Sequence, residues 1–234
     1  MRRVTGSALV AAFALVPWVS AAGQDASRTV DGGGISVSGW AGKIDAQEER
    51  AGATLNGSKF ATMGSGFHVT TGPAVTYWNP ANTASGDYTI KATFDEAKYM
   101  NLNDHPHPYG IMIGGNDLGT PNQSYLYCAA YGNGTFIVRG MAPGTQRGTF
   151  RVNGNQPEAS EAVNKAAGKD QPVKQEIAVS VKGGKVECSV NGKVVGSYDK
   201  AAVVGEGKLK STDGVYGLRF AHNTEVHVSG FAKQ

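Results

Sequence analysis

Charge is scarce in this 234-residue chain: 18% of its residues are Asp, Glu, Lys or Arg, against a usual share of about 25%. The formal net charge is only +3, and no cluster of Lys and Arg is present, which argues against nucleic-acid binding by counterion release. Proline is limited to 9 residues and glycine follows no Gly-X-Y period, so collagen is excluded. No apolar run approaches the roughly 18 residues of a membrane span, so no transmembrane segment is expected in the mature chain. Helical periodicity is almost absent, the one candidate being residues 157–170. Catalytic signatures are missing too: there is no Gly-x-Ser-x-Gly elbow, no Gly-x-x-x-x-Gly-Lys loop and no His-Glu-x-x-His.

Glycine is what the chain has in excess, with 33 residues, roughly twice the usual share. Many fall in turn pairs such as Asp31-Gly32, Asn56-Gly57, Gly183-Gly184, Asn191-Gly192 and Asp213-Gly214, which supply the positive φ angles of tight hairpins. Between the turns lie short runs of period two, such as YTIKATF at 88–94, with one face apolar and one polar. Residues 177–182, 185–191 and 193–198 read as a three-stranded meander, and 214–220 with 225–231 as a final antiparallel pair. The expected fold is all-β, a two-sheet antiparallel sandwich with at most one or two short helical turns.

The N-terminal stretch has three zones: Arg2 and Arg3, an apolar run at 8–16, and the small residues Ser20-Ala21-Ala22. This is the layout of a secretory signal peptide cleaved near Ala22. The apolar run makes a helix of roughly 14 Å, under half the hydrocarbon core of a membrane. Residues 1–22 are therefore read as a signal peptide and 23–234 as one sandwich domain, exported to the periplasm or beyond. Removing Arg2 and Arg3 leaves 20 basic residues against 19 acidic, a nearly neutral mature chain.

The two cysteines, Cys128 and Cys188, each share a strand face with apolar neighbours. In an oxidising compartment they either pair, tying two strands, or remain small buried thiols.

The closing segment runs from Ile177 through Asn191-Gly192-Lys193-Val194-Val195 to "DGVYGLRF" at 213–220 and "EVHVSGF" at 225–231. It resembles the end of concanavalin A-like jelly-roll domains and is similar to that of exported bacterial 3-keto-disaccharide hydrolase-like proteins. The resemblance implies a sandwich with a concave face, in a superfamily that includes lectins, sugar-binding modules and glycoside hydrolases. Its glucan-cleaving enzymes carry a Glu-x-Asp-x-x-Glu strand that has no match here. Asp95-Glu96 sit at a strand end without a third acid in register, and Glu206 lies in a glycine-rich loop.

Two groups of residues are candidates for binding. In SYLYCAAY at 124–131, Tyr125, Tyr127 and Tyr131 share one face, opposite Leu126, Cys128 and Ala130. The tyrosines, with Trp78 and Arg139, either form an exposed sugar-binding row or fill an aromatic ladder. The segment 101–108 gathers Asp104, His105 and His107, which either ligate a transition metal or belong to a solvated proline-rich loop. A third protein ligand is not apparent, because His68, His222 and His227 are remote in sequence. Oxygens of Asn101, Asn103, Asp104, Asn116 and Asp117 would suit calcium, but without a spaced loop motif. No motif demands a cofactor, and nothing sets the oligomeric state. The function expected is recognition of a carbohydrate or a glycan-bearing partner without catalytic machinery. The alternatives are a glycoside-acting hydrolase and a structural protein of the cell envelope.

Overall fold

The structure, a computed structural model, describes residues 26–145 and 148–234; the expected signal peptide lies outside the described residues. The described chain begins with strands β1 (Gly34–Ile35), β2 (Ala41–Ile44), β3 (Lys59–Met63), β4 (Gly66–Thr70) and β5 (Val75–Ala84). Next come β6 (Tyr88–Glu96), β7 (Tyr109–Asn116), β8 (Ser124–Ala130), β9 (Thr135–Met141), β10 (Thr149–Arg151) and β11 (Glu158–Ala159). The last five are β12 (Val173–Lys182), β13 (Lys185–Val190), β14 (Lys193–Asp199), β15 (Gly214–Phe220) and β16 (Glu225–Lys233). Among the described residues, two short α-helices, α1 (Ala46–Arg50) and α2 (Lys200–Val203), and one 3-10 turn at Leu55–Gly57 complete the regular structure. None of the described helices is long and apolar enough to cross a membrane.

The strands form two sheets, in the order β1-β3-β4-β16-β6-β12-β13-β14 and β10-β9-β8-β7-β15-β5-β2, with β11 added beside β9. We call them the first and second sheets. The period-two pattern decides which side chains enter the space between them. In β6, Tyr88, Ile90, Ala92, Phe94 and Glu96 are buried while the residues between them are half-exposed. From the second sheet, Leu126, Cys128, Ala130, Leu218 and Phe220 meet them in one apolar core. Cys128 of β8 and Cys188 of β13 are joined as a disulfide with Cα atoms 5.9 Å apart, so a covalent tie runs between the sheets.

The meander appears as β12-β13-β14. Its second turn is Asn191-Gly192 with φ of 49° and 79°, two consecutive left-handed residues that match the twist of a tight hairpin. Two local expectations fail. Residues 214–220 and 225–231 are not partners: β15 lies between β5 and β7 in the second sheet, while β16 lies between β4 and β6 in the first. A jelly roll passes the chain from one sheet to the other at such a corner, so adjacency in sequence does not become pairing. The stretch 157–170 is not helical: it holds β11 and a run of turns, with Ala166 donating to the Gly132 carbonyl at 2.8 Å. Non-local backbone bonds override its weak helical pattern.

Candidate functional site

Because Leu126, Cys128 and Ala130 enter the core, Tyr125, Tyr127 and Ala129 project from the opposite face of the second sheet. There they pack with Trp78, Met112, Ile137 and Met141 in a second apolar cluster. A polar network runs through its edge. Arg219 forms a two-pronged bond with Asp45, at 2.6 Å for each prong. It also donates to Thr76 Oγ1 at 3.3 Å, and that hydroxyl pairs with the Tyr125 hydroxyl at 2.8 Å. The Arg219 guanidinium lies 5.5 Å from the centre of the Tyr127 ring.

Of the two alternatives for these tyrosines, an exposed row and a packed aromatic ladder, the packing of Tyr125 and Tyr127 is the second. Tyr125 is 1% exposed and its hydroxyl is committed to Thr76, so it is a floor residue with no ring face for a ligand. Trp78 is also buried in the cluster, with Leu118 packed against it and Gly119 close to its ring edge. It braces the sheet and does not line the cleft above. The side chains are large enough to cover one another, so the outer face acquires a core of its own.

What is open is a cleft of about 360 Å³ over the β8-β9 end of this face. Its lining includes Tyr127, Tyr131 and Arg139 with His105, His107 and His222, and also Asp45 and Arg219. Arg139 is set opposite Tyr127 by the β8-β9 register. Its Nη2 donates to the Asn155 carbonyl at 3.3 Å, while its Nε has no hydrogen-bond partner among the described residues. Burial pushes the Tyr131 hydroxyl up to about 12, against the lowering effect of Arg139, so it remains a donor. Asp45 is the carboxylate in this lining, and both of its oxygens face Arg219. A second cleft of about 680 Å³, walled by residues 26–29 and α1, meets the first at Asp45, Ala74 and His222.

The histidine part of the lining is assembled from two loops. Ala221 N–H donates to the Pro108 carbonyl at 2.9 Å, and Asn103 Nδ2 donates to the Asn223 carbonyl at 2.9 Å. These bonds bring the loop before β7 against the turn between β15 and β16. Ring centres lie 4.3 Å apart for His105 and His107, 4.1 Å for His107 and His222, and 6.2 Å for His105 and His222. One ring nitrogen from each of the three lies within 4.8 Å of the other two. Burial, then the neighbouring His222 and His105, hold the His107 imidazole down to about 3, so it is neutral.

Asp104 stands apart from this cluster. It is exposed and forms an ion pair with Lys169 at 2.9 Å, so the expected trio of Asp104, His105 and His107 becomes His105, His107 and His222. His222 was not recognisable as a partner, being 115 residues beyond His107 in the sequence. Asp45 and Arg219 carried no signal either, since a lone Asp after a short strand and an Arg in "GLRF" are ordinary surface patterns. Of the residues considered for calcium, Asn101 Nδ2 donates to Glu225, Asn103 Nδ2 donates to the Asn223 carbonyl, and Asp117 pairs with Lys210.

No protein-family model matches the chain, and no curated protein matches it in sequence. Solved structures do resemble it. The carbohydrate-binding module CBM66 from Bacillus subtilis superposes with a TM-score of 0.54 at 8% identity, over 86% of this chain and 99% of that one. A glycoside hydrolase family 16 endo-glucanase from Bacteroides ovatus gives a TM-score of 0.47 at 10% identity, over 81% of this chain and 92% of that one. The fold implied by the closing strands is the fold present: a concanavalin A-like, two-sheet jelly roll.

Proposed function

We propose that this protein is an exported carbohydrate-recognition module that holds a glycan in the cleft lined by Arg139 and the three histidines. One observation carries the reading: aromatic surface and convergent donors meet in one recess. Tyr131, half-exposed where it lines the cleft, brings ring surface suited to sugar C–H groups, with the half-exposed Arg139 in the same lining, while Tyr127 is as buried as Trp78 and adds little surface. Hydroxyl oxygens of a sugar can accept from the guanidinium of Arg139, a half-exposed residue of the lining. A volume of about 360 Å³ falls in the range of small-ligand sites and has room for a few sugar units. The likeness in fold to a carbohydrate-binding module agrees with this reading. Export is supported by the signal-like residues 1–22 and by the disulfide, a bond that persists in oxidising compartments.

The test is a glycan array on the purified protein, followed by calorimetry on the glycans that bind. Tyr131→Ala and Arg139→Ala should each weaken binding about tenfold, the loss of one stacking face or one charged hydrogen bond. Val194→Ala, at an exposed residue of β14, should leave it unchanged. An array with no binder, or affinities indifferent to both cleft substitutions, would overturn the proposal.

A further inference from the structure

We propose that His105, His107 and His222 form a site for one divalent transition-metal ion, with zinc the ion of choice, and that its fourth coordination position opens into the cleft. Three imidazoles converge where only structural packing would otherwise be expected, each offering a ring nitrogen within 4.8 Å of the others. Around a tetrahedral zinc with Zn–N bonds of 2.0–2.1 Å, ligand nitrogens stand about 3.4 Å apart. His105 is the half-exposed member of the set, while His107 and His222 are buried.

Two further observations point to a ligand. His107 is 7% exposed, and its Nε2 has no hydrogen-bond partner among the described residues. A buried ring nitrogen in that condition costs stability unless something fills the gap. The second is the support behind His222. Ser27 Oγ donates its only proton to Glu48 Oε2 at 2.7 Å, so its 3.1 Å contact with His222 Nδ1 must be accepted from an Nδ1–H. Glu48 Oε1 lies 3.8 Å from the same nitrogen. This fixes the tautomer with its lone pair on Nε2. A carboxylate behind the distal nitrogen is how metal-bound histidines are oriented and made more basic.

The donor set chooses the class of ion. Neutral imidazoles suit zinc, copper, nickel or iron, whereas calcium and magnesium require oxygens. Three protein ligands leave one position for an exogenous oxygen, as in sites that bind water or a ligand in place of a fourth side chain. Tyr127, Tyr131 and Arg139 share the cleft, so that oxygen would be water or a hydroxyl or carboxylate of the bound molecule. The metal site does not rest on the carbohydrate reading and is tested with the ion alone.

The experiment is calorimetric titration of the untagged, metal-stripped protein with zinc chloride. It is expected to bind one equivalent, and calcium at the same concentrations none. His107→Ala and His222→Ala should each weaken zinc binding at least about 100-fold, while Glu48→Gln, which removes only the support, should weaken it about 10- to 100-fold. A surface pair elsewhere, His68 and His227 at 2.8 Å, serves as the control: the His68→Ala, His227→Ala double variant should bind as the parent does. Circular dichroism checks the fold of each variant. Should a variant unfold, the cobalt(II) spectrum of the parent decides, with the intense visible bands of a tetrahedral site expected. Absence of stoichiometric binding, a weak octahedral cobalt spectrum, or affinity lost with His68 and His227 instead would overturn the proposal.

Discussion

Glu96 ends β6 with its carboxyl turned into the sandwich, where alternation would place an apolar side chain. Its Oε1 accepts from the Met100 N–H at 3.3 Å, and its Oε2 has no hydrogen-bond partner among the described residues. Burial pushes this carboxyl up to about 7, opposed by the Met100 N–H and by the nearby Tyr109 hydroxyl, which completes no hydrogen bond. In the unfolded chain it titrates near 4.5. Below that pH both states hold the proton, and the group has no effect on the balance. Between about 4.5 and 7 the unfolded chain releases a proton that the native protein keeps, so stability falls as pH rises and levels off above 7. The full loss is at most about 3 kcal/mol, from 1.36 kcal/mol per unit. Glu96→Gln keeps the shape without the charge. Urea denaturation should find it more stable than the parent at pH 8 and equal to it near pH 4; parallel pH curves for the two proteins would refute the account. Nothing in the DEAKY context of the sequence marks this residue, because a strand-end acid is ordinarily solvated.

At the scale of single elements, β15 shows what local pattern can and cannot disclose. "GVYGLRF" reads plainly as a strand, since Leu218 and Phe220 alternate with polar neighbours. Its place between β5 and β7 is set by contacts far away in the chain, which no local period encodes. The reason for its second glycine becomes visible only there. A Cβ on Gly217 would collide with the Tyr77 carbonyl and come within 3.0 Å of Met112 Cε and 3.2 Å of the Trp78 Cα. The strand also carries a register shift between Val215 and Gly217, and Arg219 follows two residues later to hold Asp45 in the lining of the cleft. Gly217→Ala should therefore cost about 1–3 kcal/mol through overpacking against backbone. Gly168, with ordinary φ and no atom within 4 Å of an added Cβ, gives the contrast: Gly168→Ala should stay within about 0.5 kcal/mol of the parent. Equal effects in chemical denaturation would show that close packing is not what β15 requires.

For the molecule as a whole, the two sheets need a reason to stay in one relative position, and the reason joins the fold to the site. Turn chemistry and alternation make the strands and the sandwich legible, because each is written within ten residues or so. The assembly of His222 with His105 and His107 is not legible, because it depends on how the β15-β16 turn, which crosses from the second sheet to the first, lies against the loop before β7. The disulfide bears on that placement. Cys128 lies in β8, two residues from Ala130 and beside the Tyr127 that lines the cleft, while Cys188 lies in the opposite sheet, 60 positions later in the sequence. Closing a loop of that length in the unfolded chain is worth about 4 kcal/mol by chain entropy, and typical measured values are about 2–4 kcal/mol. Both cysteines are almost wholly buried, so a reductant reaches them only when the sheets separate. Unfolding in urea with and without reductant compares the same side chains and avoids the cavities that Cys→Ala variants would leave. The oxidised protein should be more stable by about 2–4 kcal/mol and should unfold with the smaller denaturant slope, since its unfolded chain is tethered. A difference under about 1 kcal/mol, with equal slopes, would mean that apolar packing alone sets the sheets against each other and that the bond is dispensable to the geometry of the cleft.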